Sequence, residues 1–189
     1  DFNCQNKLHV IAEIFYITAN ALSSQSIFTF SNFYVNLAKY LNSDFYPFNT
    51  LIAENFYNID KLHQAKQVYR NLEKKGEAFM WFAAKQNARI LIKEEKKEKA
   101  IKDLTKKFLK VKNKNIYTIY EYADFLKSNE QFLKSIEFYT DIINIIDKTH
   151  PIFPEALEGR GVSYERIGEW NKAEKDLLAS LEIKPDEPY

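Results

Sequence analysis

Apolar residues recur at helical spacing along almost the whole chain. Ala173, Leu177, Leu178 and Leu181 share one face of a helix predicted from about Glu169 to Glu182, and Pro185 stops it. A preceding helix predicted from Pro154 runs to Ile167 and ends at Gly168. With no Cβ, a glycine takes the left-handed conformation that closes a helix at little cost. Ile101, Leu104, Phe108 and Val111 form the same kind of stripe further back. A β-architecture would need turn residues roughly every 8 to 12 positions. The chain holds only 4 Gly and 5 Pro, so the pattern predicts an all-α protein.

Small residues then supply a ruler. Gly161 and Ala173 are 12 apart, as are Ala123 and Ser135, Ala88 and Ala100, Ala53 and Ala65, and Ala19 and Ser31. Successive pairs are offset by 34, 35, 35 and 38 residues. Leu22, Phe56, Leu91, Leu126 and Tyr164 stand three after each first mark. Val35, Tyr69, Leu104, Tyr139 and Leu177 stand four after each second mark. Two helices approach to about 8 Å only where one offers a small side chain, so the marks read as helix crossings. A lone helix pair cannot bury both its faces, and such units must therefore stack.

This pattern resembles the tetratricopeptide repeat (TPR), a helix-turn-helix unit of about 34 residues. The repeats are approximately 12–45, 46–79, 81–114, 116–149 and 154–187, with 1–11 as a lead-in that joins the first helix from about Leu8. Asn49 and Ala84 stand where the family has a large apolar residue, with Phe48 and Trp81 close enough to substitute. Lys107 occupies a normally small position, which predicts a helix rotated toward Phe108. The extra residues His150–Phe153 read as a longer loop, or as a bend or partner contact through an exposed Phe153. The resemblance implies an α-α superhelix of about five stacked repeats, right-handed, in one solenoid domain.

Composition narrows the function classes. The formal charge of +1 argues against a dedicated nucleic-acid or membrane-surface binder. Ten Lys against four acidic residues lie between Lys93 and Lys114, which reads as the solvated face of an outer helix, with an anionic partner as the rival reading. The one cysteine, Cys4, excludes an intrachain disulfide and a cysteine-based zinc cage. No apolar run is long enough to span a membrane. His9, His63 and His150 have no ligand-spaced partners, no glycine-rich phosphate loop is present, and no catalytic arrangement follows from spacing. The expectation is a noncatalytic protein without cofactor or metal. Its Lys, Asn, Ile, Phe and Tyr richness reads as low-GC coding bias and a bacterial source.

In TPR proteins the first helices line a concave groove that takes peptides. Carried over, the resemblance implies a groove of Tyr16, Asn20, Glu54, Tyr57, Phe82, Lys85, Arg89, Tyr117, Tyr120 and Asp124, flanked by Glu13, Ser24, Thr50, Ile92 and Lys127. Glu155, Glu158, Val162 and Glu165 follow from the last repeat. Some members hold a partner's C-terminal carboxylate. Lys85, Arg89 and Asn20 match that clamp in part, but Tyr16 replaces its first lysine. The rival reading makes Glu54, Arg89 and Asp124 an inter-repeat row of ion pairs, each worth about 0–1 kcal/mol.

The expected partner is a protein or peptide. The alternatives are an RNA-binding helical repeat, disfavoured by a mixed groove, and an interaction domain serving an enzyme elsewhere in a longer chain. Starting at Asp1 and ending at Pro188-Tyr189, where a sixth repeat would begin, the chain reads as an excised piece. Leu177, Leu181 and Ile183 of the last helix would then support self-association.

Overall fold

The computed structural model describes residues 6–185, so Cys4 and the Pro188-Tyr189 start of a sixth repeat lie outside the described residues. Ten α-helices follow one another without a strand among those residues. They are α1 Lys7–Ser24, α2 Phe28–Leu41, α3 Pro47–Asn58, α4 Leu62–Leu72 and α5 Glu77–Lys93. Then come α6 Lys97–Lys110, α7 Ile116–Ser128, α8 Phe132–Ile145, α9 Ile152–Arg166 and α10 Trp170–Ile183. The chain divides into two compact units within α6, one of residues 1–107 and one of residues 108–189.

All ten small marks are buried, from Ala19 and Ser31 to Gly161 and Ala173. Where a mark is serine, its hydroxyl is put to use: Ser31 donates to the carbonyl of Ala19 at 2.7 Å, joining the two marks of its own hairpin. Ser135 meets Ser163 at 2.9 Å. Large residues lock each crossing, and Val35, Tyr69, Leu104 and Tyr139 are wholly buried.

Five interhelix turns share one geometry. Ser26, Asp60, Glu95, Glu130 and Gly168 each take a positive φ between 60° and 81°. The next residue's N–H then returns to a carbonyl five positions back, as in Ile27 to Leu22 at 2.9 Å and Glu169 to Tyr164 at 2.9 Å. This is the hydrogen bond that closes a helix through a left-handed residue. Only Gly168 is the residue such a turn favours.

In unit 1, α2 and α3 join through a polar node. Asn55 is fully buried; its Nδ2 donates to Ser31 Oγ at 2.7 Å and Asn32 Oδ1 at 3.0 Å, while its Oδ1 accepts from Ser23 at 2.7 Å. Tyr16, Phe45 and Phe48 pack edge-on against one another. Phe48 and Trp81 are buried near Asn49 and Ala84. In unit 2, Phe108 on the last turn of α6 stacks on Tyr122 with centroids 4.0 Å apart. Phe108 is buried where Lys107 is not; Lys107 instead pairs with Glu73 in unit 1.

The segment before the last hairpin requires a correction. The loop is confined to 146–151; α9 starts at Ile152 rather than Pro154, and Phe153 is buried, not exposed to a partner. Pro154 is compatible because the first-turn N–H groups of a helix have no intrahelical acceptor to lose. The Ile152 N–H is capped by His150 Nδ1 at 3.1 Å. Within the last hairpin, Arg160 grips Asp176 through Nε at 2.7 Å and Nη2 at 2.9 Å, and Nη1 reaches Thr140 at 3.2 Å. At the far end of α10, Leu177 and Leu181 are half-buried and Ile183 is exposed.

Candidate functional site

The first helices of unit 1 enclose a shallow depression of about 350 Å³, lined by Tyr16 and Asn20 from α1, Thr50, Leu51 and Glu54 from α3, and Phe82, Gln86 and Arg89 from α5. Its residues converge because the small marks face the partner helices. Ala19, Ala53 and Ala88 point into the helix crossings, which leaves Asn20, Glu54 and Arg89, one residue later, on the open side. Three aromatic or aliphatic side chains (Tyr16, Leu51 and Phe82) are half-buried in the wall.

Its charges are mutually satisfied. Arg89 Nη1 donates to Glu54 Oε1 at 2.9 Å and to Gln86 Oε1 at 3.5 Å. The guanidinium lies 3.9 Å over the ring of Tyr57. Partial burial works against the arginine's charge, yet the hydrogen bond and charge of Glu54 outweigh it, so its pKa is raised. The other carboxylate oxygen of Glu54 accepts from the phenol of Tyr69 at 3.2 Å. Burial, followed by the charge of Glu54, pushes that phenol's pKa well up. Asn20 donates its amide to the Tyr16 carbonyl at 2.8 Å.

Among the residues expected in a groove, Tyr16, Asn20, Glu54, Phe82 and Arg89 line this one depression, and Tyr57 lies under Arg89. Lys85 is not in the lining; its ammonium sits 6.0 Å from the Trp81 ring. One guanidinium nitrogen of Arg89 is committed to Glu54, so a ligand carboxylate at the partly matched clamp would compete with that pair. Leu51 and Gln86 line the depression without having been singled out.

Tyr117, Tyr120 and Asp124 lie on α7, in unit 2. Tyr117 is exposed, its ring 6.0 Å from that of His150. Tyr120 packs 6.0 Å from Tyr139, and its phenol's pKa is raised by burial and then by Asp124. Asp124 pairs with Lys127 at 2.8 Å and accepts from the Tyr139 phenol at 3.5 Å. The pairing of Glu54 with Tyr69 thus recurs as Asp124 with Tyr139, one in each unit. A second depression, of about 530 Å³, opens at the helix ends of unit 2, between Lys127, Ser128, Glu130, Phe132, Val162 and Arg166. No group of three His, Cys, Asp or Glu side chains is placed to hold a metal among the described residues.

No family model matches the sequence, and no curated protein matches it. Solved structures do. The structure of BtubC from P. vanneervenii superposes with a TM-score of 0.71 at 12% identity, over 96% of this chain and 84% of that one. MamA superposes with a TM-score of 0.60 at 16% identity, over 95% and 97%. YrrB, described as a TPR protein with an unusual peptide-binding site, gives 0.56 at 15% identity, over 92% and 86%.

Proposed function

Taking the tetratricopeptide-repeat fold as the premise, we propose that this chain is a protein-interaction module whose unit 1 holds a peptide segment against α1, α3 and α5. The observation that carries this reading is the depression itself. Three helices contribute an apolar wall (Tyr16, Leu51 and Phe82) and a neutral polar set (Asn20, Thr50 and Gln86). Rigid aromatic and apolar side chains supply contact area at low entropic cost, and side-chain amides pair with a peptide backbone. Because Glu54 and Arg89 neutralise each other, the favoured ligand is an extended peptide with an apolar anchor rather than a strongly charged one. The peptide-binding site named for YrrB supports the same class of ligand for this fold.

Selection from a random peptide display library tests the reading. Peptides enriched on the wild-type chain should carry an apolar or aromatic anchor. They should lose at least about tenfold in affinity when Phe82→Glu or Asn20→Ala is introduced. Circular dichroism must show that both variants keep their helix content. Enriched peptides that bind the variants as tightly as the wild type would remove this face as the binding site.

A further inference from the structure

The outer side of unit 1, formed by the second helices α2, α4 and α6, carries a pattern unrelated to the depression. On α2, Phe30, Phe33 and Tyr40 are 62%, 58% and 87% exposed. The positions matching Phe30 and Phe33 in the other hairpins are all polar: Gln64 and Gln67, Lys99 and Lys102, Lys134 and Glu137, Lys172 and Lys175. At these two positions the other four hairpins are polar, and α2 alone carries phenylalanines there. Lys39 is the only charged residue on α2. The matching face of α6 carries exposed Lys99, Lys102 and Lys106 around one exposed acid, Asp103, with Lys74 exposed at the end of α4.

The net charge of +1 conceals a strong segregation. Within unit 1, residues 61–107 hold 14 of the 27 Lys and Arg but only 6 of the 26 Asp and Glu. The remainder of the chain is correspondingly acidic. Exposed aromatic side chains on α2 and exposed lysines on α6, both within unit 1, are the two components that peripheral attachment to lipid requires. The aromatic rings enter the headgroup boundary, and the lysines are drawn to anionic headgroups.

We propose that this outer face of unit 1 docks on the surface of an anionic lipid bilayer, with Phe30, Phe33 and Tyr40 entering the interface and Lys99, Lys102 and Lys106 facing the headgroups. A nucleic acid is the lesser fit. Base stacking calls for aromatic rings set within the basic groove that tracks the phosphates. Here rings and lysines are on different helices, and α2 offers a single cation.

Vesicle sedimentation of the 189-residue chain tests it. One preparation is phosphatidylcholine alone; the other contains about one third phosphatidylglycerol. The chain should sediment only with the anionic vesicles, and salt should release it as the headgroup charge is screened. Lys99→Glu, Lys102→Glu and Lys106→Glu together, or Phe30→Ser with Phe33→Ser, should each weaken partition at least about tenfold. Tyr40→Ser, at the most exposed ring, gives a second aromatic variant should the double one lose helix content. Phe82→Glu, in the depression, should leave vesicle binding unchanged, which separates this proposal from the peptide reading. No sedimentation with anionic vesicles would overturn it, as would unchanged binding by the folded aromatic variants. A salt-sensitive shift with random single-stranded RNA, in the absence of vesicle binding, would give the face to nucleic acid instead.

Discussion

At the scale of single residues, the same repeat position does opposite things in the two units. Two residues before the first small mark stand Leu51 and Gln86 in unit 1, where both line the depression. In the last hairpin the equivalent is Gly159, and a Cβ there would collide with the ring of Tyr139. Gly159→Ala should therefore destabilise by about 1–3 kcal/mol, read as a lowered thermal midpoint. Ala88→Leu, at a mark that is 2% exposed, should cost a similar amount, about 1–3 kcal/mol, in a denaturant titration. The marks were legible because their spacing repeats along the sequence. Gly159 was not, because its constraint comes from a side chain 20 positions away on another helix. Leu51 and Gln86 escaped notice for a related reason: periodicity identifies what is buried, whereas lining a shallow surface depends on the twist between neighbouring hairpins.

At the scale of elements, the turns carry strain that the helices do not. Glu95 and Glu130 hold φ of 61° and 63°, in the left-handed region that costs a residue with a Cβ about 1–2 kcal/mol. Ser26→Gly, at the equivalent turn with φ of 63°, should relieve that cost, less the extra freedom glycine gains when unfolded, for a net stabilisation of about 0.5–1 kcal/mol in denaturant titration. Only the glycine-closed turn was legible as a turn from its own residue; the other four were visible through the register of the helices around them. The proline rule misplaced one boundary. Pro154 suggested a helix start, but a first-turn proline costs no hydrogen bond, so α9 begins two residues earlier at Ile152.

At the scale of the whole molecule, each unit holds a buried tyrosine whose phenol faces a carboxylate. Burial holds the pKa of Tyr69 and Tyr139 above that of a free phenol, with Glu54 and Asp124 adding to the effect. In the unfolded chain these phenols ionise near about pH 10, so their contribution to stability is complete below that pH and is lost as pH rises above it. Tyr139→Phe should leave the midpoint near neutrality almost unchanged and flatten the alkaline limb of a stability–pH profile. The Asn55 node has a different kind of consequence, for how such an array can grow. Its three partners, Ser23, Ser31 and Asn32, are replaced in the next hairpin by Tyr57, Ala65 and Lys66. A tandem duplication of the second hairpin would set a copy of Asn55 against those residues, its amide buried and unpaired at a cost of about 1–3 kcal/mol. These hairpins are therefore not interchangeable bricks: a hydrogen-bonded key ties the second to the first, and gene duplication at this point would be selected against before function was ever tested.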